Sequence, residues 1–339
     1  MRALVNLALM ATSLLAGAAF LEFASRWLFP IAPGIKFYDS NGEPVEIKEG
    51  LLLRLRPNLT FRQVSPDFDA LGNIAPEGYR APVAAGLPEV LYIGDSFTFG
   101  QGLRDNETFP AIVCAATQAR CANLGYPGTG TSRQLDILER HIEVNGWAPR
   151  EIRLFIFAMA GSLGAGNDLY DTVEEEARRS PVAGTPLPSA AYSAGEGGAL
   201  QWLMATRTSV LAQSNVARIA YSFAGPWLRA TFSPATGQDA LDTGIAAIGR
   251  QLDRLDELSR KHDFRYAIYV VHPVQDLLRG THGDTMEAIR AAARGKRVTD
   301  TAGALLDHPR RYYCPYDGHL NPAGAQRIAE FLLAEPIAP

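Results

Sequence analysis

From Glu89 onward, short apolar runs alternate with longer stretches whose apolar residues recur at helical spacing. This alternation restricts the fold more than any other feature of the chain. Residues 90–93, 122–124, 152–157, 266–271 and 297–299 read as strands. Stretches near 108–119, 132–145, 240–261, 285–293 and 322–333 read as amphipathic helices. Asn321 stands as the N-cap of the last helix, with Pro322 at its first position. Strands separated by such helices pair in parallel and are covered on both faces. The expected fold is α/β: a three-layer α/β/α sandwich around a parallel sheet of about five strands. Ligands of such sheets bind beyond the carboxyl ends of the strands.

The regions outside this pattern read differently. Residues 4–23 carry no charge except Glu22, with Arg2 before them and Arg26 and Trp27 after. Twenty apolar residues suffice to span a bilayer. The segment 1–29 is therefore expected to be a transmembrane anchor, with Trp27 and Phe29 at the interface. The competing reading is a cleaved secretory signal, for which Ala16-Gly17-Ala18 offers a small-residue cleavage site. The anchor is preferred because the apolar run continues past that site through Phe23. Either reading exports the chain from about residue 30. In an oxidising compartment Cys114 and Cys121 can pair; two buried thiols are the alternative, and the residues do not choose between them. Residues 30–88, rich in Pro, Gly and Asn, read as an irregular lead-in to the domain at 89–339. An insertion at 171–239 interrupts that domain. Its Pro-, Gly-, Ala- and Ser-rich part, 180–198, is either a lid or a surface excursion.

Composition narrows the function. A net charge of −4 without any basic block argues against nucleic acid as a partner. The cysteines lack metal-site spacing, and no metal or cofactor is expected. The chemistry lies instead in two runs. Val90 to Gly100, VLYIGDSFTFG, is an apolar strand that breaks at a glycine and delivers Ser96 to its end. Near the C-terminus, YDGHLN brings Asp317 and His319 to the start of a helix. A serine hydroxyl needs a base within hydrogen-bond reach, and that base needs a group that holds its tautomer. Ser96, His319 and Asp317 supply these roles if the fold brings the chain ends together. Asp95 reads as a structural hydrogen-bonding group. His272, at a strand end, reads as a capping or internally satisfied histidine, and His282 and Asp284 as loop residues within reach of a substrate. A rival nucleophile is Ser162, because Ala160-Gly161-Ser162-Leu163-Gly164 approximates a nucleophile elbow. No helical pattern follows it, so the Ser96 set is preferred.

Four blocks now stand in order: Gly94-Asp95-Ser96, Asn123 to Thr131 (NLGYPGTGT), Gly166-Asn167-Asp168 and Asp317-Gly318-His319. Together they resemble the SGNH, or GDSL, hydrolase superfamily of serine esterases, lipases and acyltransferases. Within it, GDSFTFG and DGHLNPAG are most similar to membrane-anchored, exported proteins of bacterial polysaccharide loci, relatives of the alginate O-acetyltransferase group. Two positions depart from the superfamily pattern. Ala165 stands where the third block usually has glycine, and a single residue separates Asp317 from His319.

The resemblance implies a Ser96, His319 and Asp317 triad. It also implies an oxyanion hole made by the Ser96 backbone N–H, Gly128 and Asn167. The implied function is that of an inner-membrane esterase facing the periplasm, removing small acyl groups, acetyl above all, from carbohydrate. An O-acetyltransferase with the same triad and a catalytically degenerate glycan-binding module are the alternatives. Implied partners are an acylated carbohydrate or other small ester, the membrane, and polysaccharide-assembly proteins.

Overall fold

The computed structural model describes residues 2–28, 38–39, 46–49, 52–65, 67–81, 86–158, 214, 216, 238–315 and 317–335. Its centre is a parallel sheet of β6 (Val90–Ile93), β7 (Cys121–Asn123), β8 (Glu151–Phe157), β9 (Arg265–Val271) and β10 (Val298–Asp300). The spatial order is β10-β9-β8-β6-β7. Counted in chain order this is 2-1-3-4-5, the flavodoxin-like doubly wound arrangement. Its topological switch point lies where the chain leaves β6, and Ser96 follows β6 directly.

Alternation along the strands explains the layers, because successive side chains point to opposite faces. Leu91, Ile93, Ile152, Leu154, Ile156, Ile268 and Val270 pack on one face, under α4 (Thr131–Glu143), α5 (Gln238–His262) and α7 (His282–Ala292). Tyr92, Phe155, Tyr269 and Val271 face the other way, under α3 (Phe109–Thr117), the short α8 (Pro309–Tyr312) and the C-terminal α9 (Pro322–Ala334). Both faces are covered, so the strands are apolar on both sides. At the start of α9, Asn321 Oδ1 accepts from the Gly324 N–H at 3.0 Å, as the cap expectation required. Cys114, in α3, and Cys121, in β7, are joined by a disulfide, which decides between the two readings of that pair.

Two expectations are corrected. The lead-in is more regular than its composition suggested. The strands β4 (Leu59–Val64) and β5 (Asp69–Ile74) form an antiparallel pair, with β1 (Tyr38–Asp39) on β4. A separate hairpin joins β2 (Glu46–Glu49) to β3 (Leu52–Leu55). Alternate residues of β5 are buried, including Ala70 and Ile74, so the sheet has a face to press on the main domain. The backbone of Arg80 bridges Ile74 on one side and Asn123 on the other, which joins the small sheet to the large one. His282 and Asp284 also differ from expectation, lying in the first turn of α7 rather than in a loop. Gly280, at φ 73°, ends α6 (Val274–Arg279) in the left-handed conformation, and the chain re-enters a helix two residues later.

Arg2–Leu28 forms one helix, α1, with Leu9, Leu14, Leu15, Phe20 and Phe23 exposed. Glu22 of this helix accepts from Ser214 Oγ at 2.8 Å and from the Val216 N–H at 3.2 Å. Among the described residues no helix is long and apolar enough to cross a membrane. Several residues of the expected span, Leu4 and Leu7 among them, have side chains outside that description. Apart from 214, 216 and the start of α5, the insertion at 171–239 also lies outside it.

Candidate active site

The nucleophile turn is built from local demands. After β6 the chain must bend sharply at Gly94, where a Cβ would press on the Thr98 side chain and lie 3.0 Å from the Phe155 carbonyl oxygen. Asp95 then caps the short helix α2 (Ser96–Phe99), its Oδ1 accepting from the Phe97 N–H at 3.0 Å. That is the structural role the residue pattern suggested. Burial raises the Asp95 carboxyl to about 6, against the opposing pull of the Phe97 N–H and of His319. Ser96 occupies the first position of α2 at the carboxyl edge of the sheet.

The chain ends do come together there. Ser96 Oγ lies 2.7 Å from His319 Nε2, and His319 Nδ1 lies 2.6 Å from Asp317 Oδ1. The imidazole is 16% exposed and the Asp317 side chain 5%. A substrate can thus reach the histidine while the carboxylate stays shielded. Beneath the imidazole lies Phe97, ring centroids 4.7 Å apart, itself stacked on Phe157 at 4.4 Å. With Nδ1–H donated to Asp317, Nε2 is left free to accept the Ser96 proton. This is the tautomer a general base requires.

The second block runs off β7, the strand beside β6. The Tyr126 N–H donates to the Gly94 carbonyl at 2.9 Å and ties the two turns together. Gly128 is exposed and adopts φ 72°, a left-handed conformation that glycine takes without steric cost. Because β7 runs parallel to β6, the second block leaves the sheet at the same end as Ser96. Asn167, the third expected donor, and Ser162, the rival nucleophile, lie outside the described residues. His272, 1% exposed, places Nε2 3.0 Å from Asp300 Oδ1 and holds its own carbonyl against the Tyr313 hydroxyl at 2.6 Å.

Three residues around the triad were not singled out from the sequence. Gln101 is 4% exposed, and its Nε2 is 2.9 Å from His319 Nδ1 and 3.4 Å from Asp317 Oδ2. Asp67, in the turn between β4 and β5, accepts from the Asp317 backbone N–H at 2.7 Å. Arg80 is fully buried and donates to the carbonyls of Phe99 at 3.0 Å, Gly100 at 2.7 Å and Leu103. It also pairs with Asp105 at 3.2 Å and lies over the Phe99 ring, 4.7 Å from its centroid. Burial lowers the Arg80 guanidinium to about 10, against the opposing pull of Asp105. Gln101 directly follows the glycine that ends α2, which is the one sequence signal beside it.

No protein-family model matches the chain. No curated protein matches it either. Among solved structures, one similar protein is an acetyl xylan esterase from Geobacillus stearothermophilus. It is 15% identical, with a TM-score of 0.38 over 76% of this chain and 99% of that one. A second is described as a lipolytic protein of the G-D-S-L family from Desulfitobacterium hafniense DCB-2. Its identity is 14% and its TM-score 0.37, over 71% of this chain and 95% of the other. A carbohydrate esterase matches at 11% identity and a TM-score of 0.40, over 88% and 84%. All three fall below 25% identity and below a TM-score of 0.5, so the functional reading rests on the geometry of the site.

Proposed function

We propose that this chain is a serine ester hydrolase of the SGNH type that works through an acyl-enzyme on Ser96. The observation that carries the reading is the continuous relay from Ser96 Oγ through His319 to Asp317, set at the switch point of the sheet. In the proposed reaction Ser96 Oγ attacks the ester carbonyl while its proton passes to His319 Nε2. Asp317 stabilises the imidazolium, and the tetrahedral oxyanion is held by the Ser96 N–H, with Gly128 and Asn167 as the further donors. His319 returns the proton to the leaving alkoxide, whose bond to the carbonyl carbon breaks. Water, activated by the same histidine, then releases the acid. The substrate proposed is a small acyl ester of a carbohydrate, acetyl above all. A sugar hydroxyl in place of water would make the same acyl-enzyme an O-acetyltransferase.

The proposed setting is the exported face of a membrane, with the chain attached through α1. Support comes from the apolar side chains that α1 leaves exposed and from the Cys114–Cys121 disulfide, which suits an oxidising compartment. One preparation tests both parts. The full chain, recovered from membranes in detergent, is treated with a fluorophosphonate and analysed by intact mass. Labelling at Ser96, loss of p-nitrophenyl acetate turnover by several powers of ten in Ser96→Ala, and a retained N-terminus are expected. Turnover that survives Ser96→Ala would overturn the site. An unlabelled, inert chain would leave a glycan-binding module as the better reading. A chain found trimmed near residue 19 would replace the anchor with a cleaved signal. Adding a glycan acceptor to the same assay separates transfer from hydrolysis.

A further inference from the structure

The carboxylate of the relay sits on unusual support. Asp317 belongs to neither a helix nor a strand, and only Gly318, at φ 85°, separates it from His319. Among the described residues, the local partner of its side chain is His319 itself, at 2.6 Å. We infer that Gln101 and Asp67 are positioning residues that clamp Asp317 from two sides and so hold His319 in the tautomer that accepts the Ser96 proton. This inference deepens the reading of the triad and rests on it.

The hydrogen-bond inventory supports the clamp. An ionised carboxylate only accepts, and a glutamine Nε2 only donates. Asp317 Oδ1 is occupied by His319 Nδ1 at 2.6 Å. Gln101 Nε2 reaches the second oxygen at 3.4 Å. The same Nε2 lies 2.9 Å from His319 Nδ1, but it cannot donate there while that nitrogen carries its proton for Asp317. Donation to Oδ2 is therefore the role left to the amide, and it stops the carboxylate from turning away from the imidazole. On the other side, Asp67 accepts the Asp317 N–H at 2.7 Å and fixes the main chain that carries the carboxylate.

Both contacts come from segments that the sheet already anchors. Gln101 follows α2, and the next residue, Gly102, donates its N–H to Gln63 Oε1 at 2.8 Å. Asp67 sits in a turn closed by the Ser65 N–H on the Phe68 carbonyl at 2.9 Å. The lead-in is thus part of the catalytic apparatus rather than an appendage. Neither residue touches the reacting atoms, so each acts through Asp317.

The test uses the full chain in detergent with p-nitrophenyl acetate. Gln101→Met and Gln101→Glu keep the bulk and remove the donor. Both are expected to lower kcat by roughly ten- to a hundredfold with KM unchanged, the scale expected for a slightly misplaced catalytic group. The far-downfield proton resonance of the His319–Asp317 bond should weaken or shift in parallel. Asp67→Ala should lower kcat in the same way, while Asp67→Asn, which still offers an oxygen to the Asp317 N–H, should stay near wild type. Wild-type kcat and an unchanged resonance in both Gln101 variants would overturn the glutamine's role. An equal loss in Asp67→Asn and Asp67→Ala would overturn the role of the Asp67 contact. A wild type that neither labels nor turns over would sink the triad reading. The resonance, present in the resting protein, would still judge the clamp separately.

Discussion

The two halves of the site are held in different ways. The nucleophile turn is fixed by its neighbours in sequence: Gly94 makes room, Asp95 caps α2, and Gly100 ends it at φ 80°. The acid–base turn at 317–319 is closed locally in its backbone, with the Gly318 N–H on the Cys314 carbonyl at 2.9 Å and the Cys314 N–H on the His319 carbonyl at 2.8 Å, but Asp317 is also held by residues far away in the chain. Asp67 is 250 positions from Asp317, and Gln101 is 216. The difference shows where precision has to be imported. Ser96 needs one backbone geometry, which a short turn can specify. Asp317 and His319 need a relative orientation across a single glycine, which a short turn cannot hold alone.

Arg80 marks the limit of the local half, and removing it probes the comparison most severely. It reaches the carbonyls of Phe99, Gly100 and Leu103, at the end of the short helix that carries Ser96 and just beyond it. Arg80→Met would leave those carbonyls without this donor and Asp105 without its cation. A loss of about 3–5 kcal/mol is expected, as for other broken buried ion pairs, and a fall in the melting temperature reports it. Wild-type stability in Arg80→Met would mean that the nucleophile side is local throughout and owes nothing to the lead-in.

The same contrast explains what could be read from the sequence. The five strands of the parallel sheet fell within one residue at every end, because a core strand covered on both faces carries an apolar pattern of its own. Ser96, His319 and Asp317 stood out because each sits in a short motif whose glycine, capping and helix-start residues have local reasons to be there. The lead-in strands β4 and β5 did not. Residues 59–74 carry Arg and Asp on their strands, and contact with Arg80, Phe99 and Gly102 gives them a buried face. Gln101, Asp67 and Arg80 were invisible for the same reason: each is defined by partners 19 to 250 residues distant, and no spacing rule records such a pairing.

A second prediction sharpens the local side. Burial raises the Asp95 carboxyl to about 6 from an ordinary value of 3.8. The folded state therefore holds this proton more tightly than the unfolded chain does. The resulting stabilisation is complete below about pH 4 and is lost as pH rises through about 6. Asp95→Asn keeps an oxygen for the Phe97 N–H and stays neutral at every pH. It should be more stable than wild type at pH 8 by at most about 3 kcal/mol, since one pKa unit is worth about 1.4. At pH 4 the advantage should vanish. Melting curves at the two pH values decide the matter, and an advantage that does not change with pH would show that the charge at Asp95 is not what the turn bears.

The smallest expected effect tests the imported half from within. Gly318 has open space where a Cβ would project, so Gly318→Ala meets no steric barrier from its surroundings. Its cost comes only from the backbone at φ 85°, where an L-residue is disfavoured by about 1–2 kcal/mol. If Gln101 and Asp67 hold Asp317 firmly, the turn should keep its shape and the cost should appear as stability, lowering the melting temperature by a few degrees. The kcat for p-nitrophenyl acetate should then stay within about threefold of wild type, a barrier change of roughly 0.7 kcal/mol. If the clamp is loose, the turn will relax to a negative φ instead. Asp317 will then leave His319, and activity will fall while stability is spared. The two outcomes place the loss in different quantities, so one melting curve and one kcat on the same variant separate them. At Gly94, by contrast, a Cβ would meet the Thr98 side chain and the Phe155 carbonyl, so the same substitution there should cost stability and rate together.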